Sequence, residues 1–366
     1  MRSRESVTGN LTPASWALSD DQTRLRMVAR DFARERLEPL LASAPGAAVW
    51  EKTVTLAATL DLTTMILPER LGGLGMSRHD LALVVEQFAA GPLERAAALT
   101  LSSAALMTLR ECDALERLPD PDIGHYLDGT SSIALGIPDA DASGLYVLRQ
   151  HCGSPAMMVR MEGERPRLAL TTLPQEWTGP GSMAVGAGLF IERHCAALPD
   201  NMPLPLPPAG AGGDDPVQHW LADTAIYLAA LLSGAIQQGV NFALGYCTSR
   251  QAFRKPLMAH ELVAARLADM MMSANTIHLF LRSVAAQDGP VRIAAVSGMA
   301  RHVATEAMDV VRELVQLCGG HGYVEGLPPA ARLQTVHWFA MLLVKVDAAL
   351  RAFGAFSTFS ASTASA

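Results

Sequence analysis

The chain has 366 residues, of which half are hydrophobic and 18% are charged, and its formal net charge is -7 at pH 7. This length exceeds the size at which a single hydrophobic core keeps growing, so we expect two or three packed units. The acidic balance and the lack of a Lys/Arg block exclude a typical nucleic-acid surface, which needs clustered basic side chains. The composition, rich in Ala and Leu and poor in aromatic residues, predicts helices packed on helices.

Five isolated cysteines without C-x-x-C spacing predict reduced thiols and a cytoplasmic protein. The basic residues at the N-terminus are not followed by an apolar stretch, so we expect neither a secretory signal nor a lipid anchor. Residues 224–249 contain no charge and are numerous enough to cross a bilayer. Gln237 and Gln238 near the centre of this segment instead favour a buried central helix, and we expect no membrane partner.

The first part of the chain has a helical pattern. Arginines alternate with apolar residues just after Asp20, which predicts an amphipathic helix. The glycine-rich segment 67–77 then predicts a turn, and Ser77 stands where the N-cap of the next helix is expected. We therefore predict an N-terminal extension over 1–19 and an N-terminal helical domain over 20–125.

The middle of the chain changes to short apolar segments after Pro119 and Pro121. Segments of this length between turn residues are typical of strands, so we predict a short β domain over 126–205. The predicted strands cover residues 132–137, 145–148, 157–161, 167–171 and 188–192.

The last part of the chain is again helical in pattern. Its Pro/Gly-rich start predicts a linker over 206–216, and a C-terminal helical domain follows over 217–353. Residues 354–366 are rich in Ser, Thr and Ala and predict a loose tail. The fold class is therefore mostly α with a small β domain.

Two segments of the C-terminal domain have residue types suited to phosphate. Arg250 follows the uncharged helix and Phe253 comes three residues later, so the pair could hold a diphosphate and cover an aromatic ring. A helix C-cap with a core Phe is the alternative interpretation. Residues 316–323 read QLCGGHGY, and backbone without side chains lets a phosphate or ribose approach closely. A glycine turn that ends a helix is the alternative here.

Three segments together resemble the acyl-CoA dehydrogenase family. Residues 68–75 (PERLGGLG), 250–256 (RQAFRKP) and 316–323 are similar to its P-E-x-x-G-G-x-G, R-x-x-F-G-K-P and Q-x-x-G-G-x-G-Y patterns. The resemblance spans almost the whole chain. It implies an N-terminal helical bundle, a middle β domain and a C-terminal four-helix bundle, with FAD as cofactor and an acyl-CoA thioester as substrate. The cofactor-binding residues that it implies are Arg250, Phe253, Gln316, Gly319 and Gly320.

The β domain departs from this family. A complete member has a T-E-P-x-x-G-S turn and a W-I-T stretch, which hold the reactive flavin ring. Residues 137–144 stand at the position of the first but lack its Thr-Glu pair, and Trp177 is only a faint counterpart of the second. We therefore expect a weakened site for the flavin ring in this chain.

The catalytic base is also missing from its expected place. The family's chemistry needs a carboxylate to remove the α-proton of the thioester while a hydride leaves the β-carbon. Many members place it in an E-G-T segment about twenty residues after the Gly-Gly turn, where this chain has Leu343. Asp223 is a candidate by elimination, although an Asp in the first turn of a helix is usually a cap or a terminal charge. The catalytic residue stays unassigned, and no metal site is predicted, since His321 and His337 lack ligand spacing.

These departures favour one half of a heteromer. The FAD of this family lies across a subunit boundary, so one chain holds the flavin ring and its neighbour contributes the Arg/Phe and Gln/Gly-Gly contacts. We expect a subunit that completes the FAD site of a catalytic partner. An autonomous homo-oligomeric enzyme and a flavin-free helical scaffold or acyl-carrier binding protein are the alternatives, and the acyl group and electron acceptor stay open.

Overall fold

The computed structural model describes most of the chain. Trp177, most of the N-terminal extension and nearly all of the predicted linker lie outside the described residues, so the predictions for them are not tested. The described residues are 17–41, 46–63, 65–118, 124–127, 131–140, 144–150, 154–162, 165–172, 182–186, 188–195, 215–287, 292–324 and 327–363.

Helices form the two ends of the described chain and strands form its middle, as the fold class predicted. In chain order the helices are α1 (Asp20–Phe32), α2 (Ala47–Thr59), α3 (Arg78–Phe88), α4 (Leu93–Thr100), α5 (Ser103–Glu111), α6 (Gly124–Leu127), α7 (Pro216–Ser249), α8 (Glu261–Ala285), α9 (Ile293–Cys318) and α10 (Pro328–Thr363).

Two helices of the N-terminal region begin with capping boxes. Ser19 and Gln22 cap α1 reciprocally, and Ser77 and Asp80 cap α3 in the same way. Each box satisfies backbone N–H groups that have no partner inside the helix. The N-cap predicted at Ser77 is therefore confirmed.

The long helix α7 lies in the centre of the protein. Asp215 accepts a hydrogen bond from the N–H of Val217 and caps the helix, while Pro216 occupies its first position, where no N–H is needed. The helix is long and apolar enough to span a membrane by length and composition, yet its most apolar window is wholly buried in the protein. Trp220 and Tyr227 are among the largest buried side chains. The predicted buried central helix is confirmed.

Helices α7 to α10 pack on one another as a four-helix bundle, and α3 and α5 pack against α7 from the N-terminal side. One boundary differs from the sequence prediction. Helix α10 continues to Thr363, whereas the last helix was predicted to end at residue 353. The Ser, Thr and Ala residues that suggested a tail have only modest helix penalties, so a helix already formed continues through them.

The β domain is a six-stranded sheet in the order β4-β3-β1-β2-β6-β5, in which β1 and β3 are parallel and the other neighbours are antiparallel. All five predicted strands are present; the sixth, β5, was missed because it is short and half exposed. The strands are β1 (Ala134–Pro138), β2 (Gly144–Arg149), β3 (Pro155–Glu162), β4 (Arg165–Thr172), β5 (Met183–Gly186) and β6 (Leu189–Cys195).

One face of this sheet joins the helical core. Leu135, Ile137 and Leu148 belong to the same buried cluster as the helices. The indole N–H of Trp220 on α7 lies 3.4 Å from the carbonyl oxygen of Gly136, and α10 also contacts β1. Strand β1 is therefore held next to the C-terminal bundle.

Candidate functional site

The C-terminal ends of α7 and α9 lie side by side. The hydroxyl of Tyr246 on α7 donates to the carbonyl oxygen of Cys318, 3.2 Å away, and lies 3.3 Å from Nδ1 of His321. Arg250 ends α7 one turn after Tyr246, and Gly319 ends α9. The structure thus brings the Arg/Phe segment and the Gly-Gly segment to one end of the bundle, as the resemblance implied.

A short hairpin follows α7 and projects Phe253 from the surface. Strands β7 (Gln251–Ala252) and β8 (Lys255–Pro256) form it, and the His260 ring supports it through a 3.2 Å contact between Nε2 and the carbonyl oxygen of Ala252. Phe253 and Arg254 both have positive φ, 52° and 67°, which is costly for residues with a Cβ. Phe253 is 92% exposed. The alternative in which it is a core side chain is therefore wrong.

The Gly-Gly turn after α9 leaves open space. A Cβ at Gly319 or Gly320 would meet no heavy atom of the described residues within 4 Å, and Gly319 has a φ of 55°. Gln316 is exposed at the end of α9, where its side-chain amide donates to the hydroxyl of Tyr323 at 3.2 Å. The turn ends α9, as one interpretation of the sequence predicted, and it also leaves the surface beside its glycines accessible to another molecule.

The other Gly-rich segment, at 68–75, serves a different purpose. It forms the turn before α3, and a Cβ on Gly73 would come within 2.1 Å of the carbonyl oxygen of Leu67. The guanidinium of Arg110 donates to the carbonyl oxygens of Ile66 and Met76 at 2.7 Å each and holds the turn against α5. The segment is thus packed within the N-terminal domain.

The exposed end of the bundle fits the diphosphate half of a dinucleotide. Within the described chain Arg250 makes no ion pair, and it is exposed at the same end of the bundle as the open Gly319–Gly320 turn. An unpaired guanidinium can donate two hydrogen bonds to a phosphate, and the exposed ring of Phe253 can stack on a heteroaromatic group. The five predicted cofactor residues are thus available, and their binding role stays a prediction.

The β domain does not fit the flavin ring in the same way. When the chain is aligned with the T-E-P turn on Pro138, its Thr and Glu positions are Gly136 and Ile137. A Cβ on Gly136 would lie 2.6 Å from Cβ of Met158, and Ile137 is completely buried. The carboxylate of Asp139 accepts hydrogen bonds from Lys345 Nζ and from Arg193 Nη2, each at 3.0 Å. These groups are already paired with one another.

The two positions considered for a catalytic base are both structural. Leu343 is fully buried in α10, where it contributes to the core. Asp223 lies in the third turn of α7, so its placement in the first turn is wrong, because the helix begins at Pro216. Its Oδ1 lies 2.5 Å from Nε of Arg78, and its Oδ2 accepts a hydrogen bond from Thr108 at 2.9 Å. The Asp223 carboxylate is the largest cause of the raised pKa of Arg78. Asp223 thus ties α7 to α3 and α5.

A second buried carboxylate was missed by the sequence analysis. Glu86 on α3 accepts hydrogen bonds from Ser233 and, at 2.8 Å, from Gln237, and His278 Nδ1 lies 2.8 Å away. Burial alone would raise the pKa of Glu86, but His278, Ser233 and Arg282 outweigh it and lower the pKa. The only sequence signal is a Glu inside an apolar run, which does not reveal its partners. This cluster joins α3, α7 and α8.

Family models match both helical regions of the chain. The model for "Acyl-CoA dehydrogenase, N-terminal domain" matches residues 19–112, and the model for "Acyl-CoA dehydrogenase, C-terminal domain" matches residues 212–342. The chain belongs to the acyl-CoA dehydrogenase family. Residues 113–211, between the two matches, include the β domain in which the flavin-ring motifs are altered.

Curated relatives match most of the chain, and solved structures share its fold. The mitochondrial isobutyryl-CoA dehydrogenase of Bos taurus is 23% identical, over 88% of this chain and 85% of the relative. Butyryl-CoA dehydrogenase from Megasphaera elsdenii has the same fold, with a TM-score of 0.68 and 19% identity over 93% of this chain and 99% of that chain. Glutaryl-CoA dehydrogenase from Mycobacterium smegmatis, in complex with FADH2, gives a TM-score of 0.66 and 17% identity, over 92% and 94% of the two chains.

Proposed function

We propose that this chain is the subunit of an FAD-dependent acyl-CoA dehydrogenase that completes the cofactor site of a catalytic partner subunit. The observation behind the proposal is the contrast between an open surface at Arg250 and Gly319–Gly320 and a Leu, fully buried, at the base position 343. The chain keeps the residues that a neighbour's cofactor needs. It lacks a carboxylate at the position where its own chemistry needs one.

The hairpin at Phe253 supports an intermolecular role. Two consecutive residues with positive φ cost on the order of 1–2 kcal/mol each, and this strain presents an aromatic ring to the outside. Such strain persists where function requires it. A bound FAD with its partner chain would cover Phe253, and Arg250 would donate to the diphosphate.

The chemistry of the assembly is the α,β-desaturation of an acyl-CoA thioester. FAD, when bound, accepts the two electrons that leave the acyl group. In this assignment the partner provides the base and the flavin-ring site, while this chain contributes Arg250, Phe253, Gln316 and the glycine backbone. Asp223 holds helices together and does not take a proton.

A double substitution tests the assignment. The variant Arg250→Ala with Gln316→Ala is produced in the host of origin with a tag on this chain, so that the flavoprotein is isolated with its partner. We expect the flavin bound per complex to fall at least tenfold at a fixed FAD concentration, and the dehydrogenase activity to fall with it, because the diphosphate loses its charge-assisted hydrogen bonds. Absorbance of the bound flavin and acyl-CoA-dependent dye reduction measure both quantities.

A matched control removes exposed arginines elsewhere. Arg24 and Arg34 lie on the first helical segments and pair with Asp21 and Asp31 one turn earlier. The variant Arg24→Ala with Arg34→Ala should keep its flavin. If the Arg250/Gln316 variant also keeps flavin and activity, the scaffold alternative replaces this proposal. A yellow, active homo-oligomer of this chain alone would establish the autonomous enzyme instead.

A further inference from the structure

An ion-pair cluster joins Asp139, the residue after β1, to helix α10. The backbone N–H of Asp139 donates to the carbonyl oxygen of Gly144, the first residue of β2, at 2.9 Å. Its side chain, 10% exposed, accepts a 3.0 Å hydrogen bond from Lys345 on one oxygen and another from Arg193 on β6 on the other. Asp139 therefore has a cation on each oxygen.

The aromatic ring of Tyr146 on β2 completes this cluster. Nζ of Lys345 lies 4.7 Å from the ring centroid, and the guanidinium carbon of Arg193 lies 5.9 Å from it. Both cations thus contact one carboxylate and one π face, which favours a fixed arrangement. Asp139 and Lys345 are separated by more than two hundred residues along the chain, so the contact is purely tertiary.

The two linked segments align with the two segments of the family that hold the flavin ring and carry the catalytic base. Asp139 follows Pro138, which aligns with the Pro of the T-E-P turn. Lys345 lies two residues after Leu343 and aligns with the Thr of the E-G-T segment. A flat ring between two walls needs about 7 Å between their atoms, because each van der Waals contact takes about 3.5 Å. The 3.0 Å between Nζ and Oδ1 leaves no such gap.

The neighbouring positions also leave no room. A Cβ on Gly136 would clash with Met158, so the Thr of the family's turn cannot be accommodated without a backbone shift. Leu343 and Ile137 are fully buried on the two linked segments. Each of the two linked segments thus contributes a core residue in addition to its member of the ion pair.

We propose that the Asp139–Lys345 ion pair, with the core residues beside it, closes this chain's own flavin-ring site. This inference rests on the proposed function. It implies that the assembly contains one FAD for each pair of unlike chains, and that the junction stays closed during turnover.

Cross-linking of the junction tests this closure. Asp139→Cys and Lys345→Cys are combined in the tagged chain, and the flavoprotein is isolated from the host of origin with its partner. A short bis-maleimide then joins the two thiols, and peptide mass spectrometry identifies the link. We expect the cross-linked complex to keep at least 90% of the flavin and activity of the same variant before cross-linking, with one FAD per two chains. Two variants that each carry only one of the introduced cysteines, Asp139→Cys or Lys345→Cys, are treated identically and control for reaction at other thiols.

Every outcome decides the matter. If cross-linking lowers flavin content or activity below 90%, a flavin enters this junction and the closure is wrong. If the two thiols cannot be joined, the contact itself is wrong. The closure can also be separated from the subunit role. Loss of flavin on cross-linking together with loss in the Arg250/Gln316 variant indicates an autonomous enzyme. Retention in both experiments leaves the closure intact and removes the cofactor role of Arg250.

Discussion

The exposed end of the C-terminal bundle and the junction between the β domain and α10 differ in how their polar groups are satisfied. At the bundle end, Arg250 is exposed without an ion pair in the described chain, and the glycine turn faces open space. At the junction, Asp139 is nearly buried and has two cationic partners. Groups left free at a surface are available to another molecule, whereas groups paired inside hold the fold. In the function proposed above, the family's FAD site is therefore open at its diphosphate end and closed at its flavin-ring end in this chain.

The largest expected effect is the loss of stability when the buried Arg78–Asp223 ion pair is broken. Asp223→Ala leaves Arg78 without its counter-ion, and loss of one partner of a buried pair costs about 3–5 kcal/mol. We expect a large decrease in the denaturant midpoint of the isolated chain. The double variant Arg78→Ala/Asp223→Ala should lose less than the sum of the single variants, because the two groups are coupled. Asp31→Ala, which breaks an exposed pair with Arg34, is the control and should cost at most about 1 kcal/mol.

This substitution also tests the role of Asp223. A variant that folds with unchanged stability and has lost only its activity would contradict the structural assignment. Such a result would make Asp223 a proton acceptor. It would also weaken the contrast between exposed groups that serve function and buried pairs that hold the fold.

A stability loss of intermediate size is expected at the Asp139–Lys345 junction, and a smaller one at Arg250 on the exposed end of the bundle. Lys345→Met should lower the unfolding free energy by about 1 kcal/mol, because Lys345 is partly exposed and Asp139 keeps Arg193. Arg250→Ala should change it by less than about 0.5 kcal/mol, because exposed groups without partners contribute little to folding. Chemical denaturation of the two variants measures the difference. Equal stability losses would show that the two regions do not differ as described.

The pH dependence of the Lys345 contribution has a definite sign. Burial alone would lower the pKa of Lys345, but Asp139 and Tyr146 outweigh it and raise the pKa above its usual 10.5. The contribution of the ion pair is therefore complete below pH 10.5 and is lost as the pH rises through the folded-state pKa. The stability difference between wild type and Lys345→Met should be constant near neutrality and shrink at strongly alkaline pH. A difference that shrinks near pH 7 would contradict the pairing.

A small effect of the opposite sign is expected at the hairpin. The family pattern has Gly where this chain has Arg254, whose φ is 67°. Arg254→Gly should stabilise the chain by about 0.5–1 kcal/mol, since relief of left-handed strain exceeds the entropy gained by the unfolded chain. Thermal unfolding of this variant beside Arg254→Ala, which keeps the strain, measures the effect. A loss of stability on introducing Gly would mean that the Arg side chain stabilises the turn.

The sequence by itself determined the order of the helical and β regions, the cap at Ser77 and the buried central helix, because these depend on local periodicity and on residues a few positions apart. It also determined the family, through segments at 250–256 and 316–323. These segments act through backbone geometry and single side chains, so their pattern survives in the linear sequence.

The tertiary structure alone decided which charges meet. Asp139 with Lys345, Asp223 with Arg78, and Glu86 with His278 are joined across 145 or more residues, and no periodicity connects them. The energy of an ion pair depends on distance and burial, neither of which is written in sequence spacing. For that reason the sequence could locate an altered flavin-ring motif, and only the fold showed that Asp139 beside it is paired with Lys345.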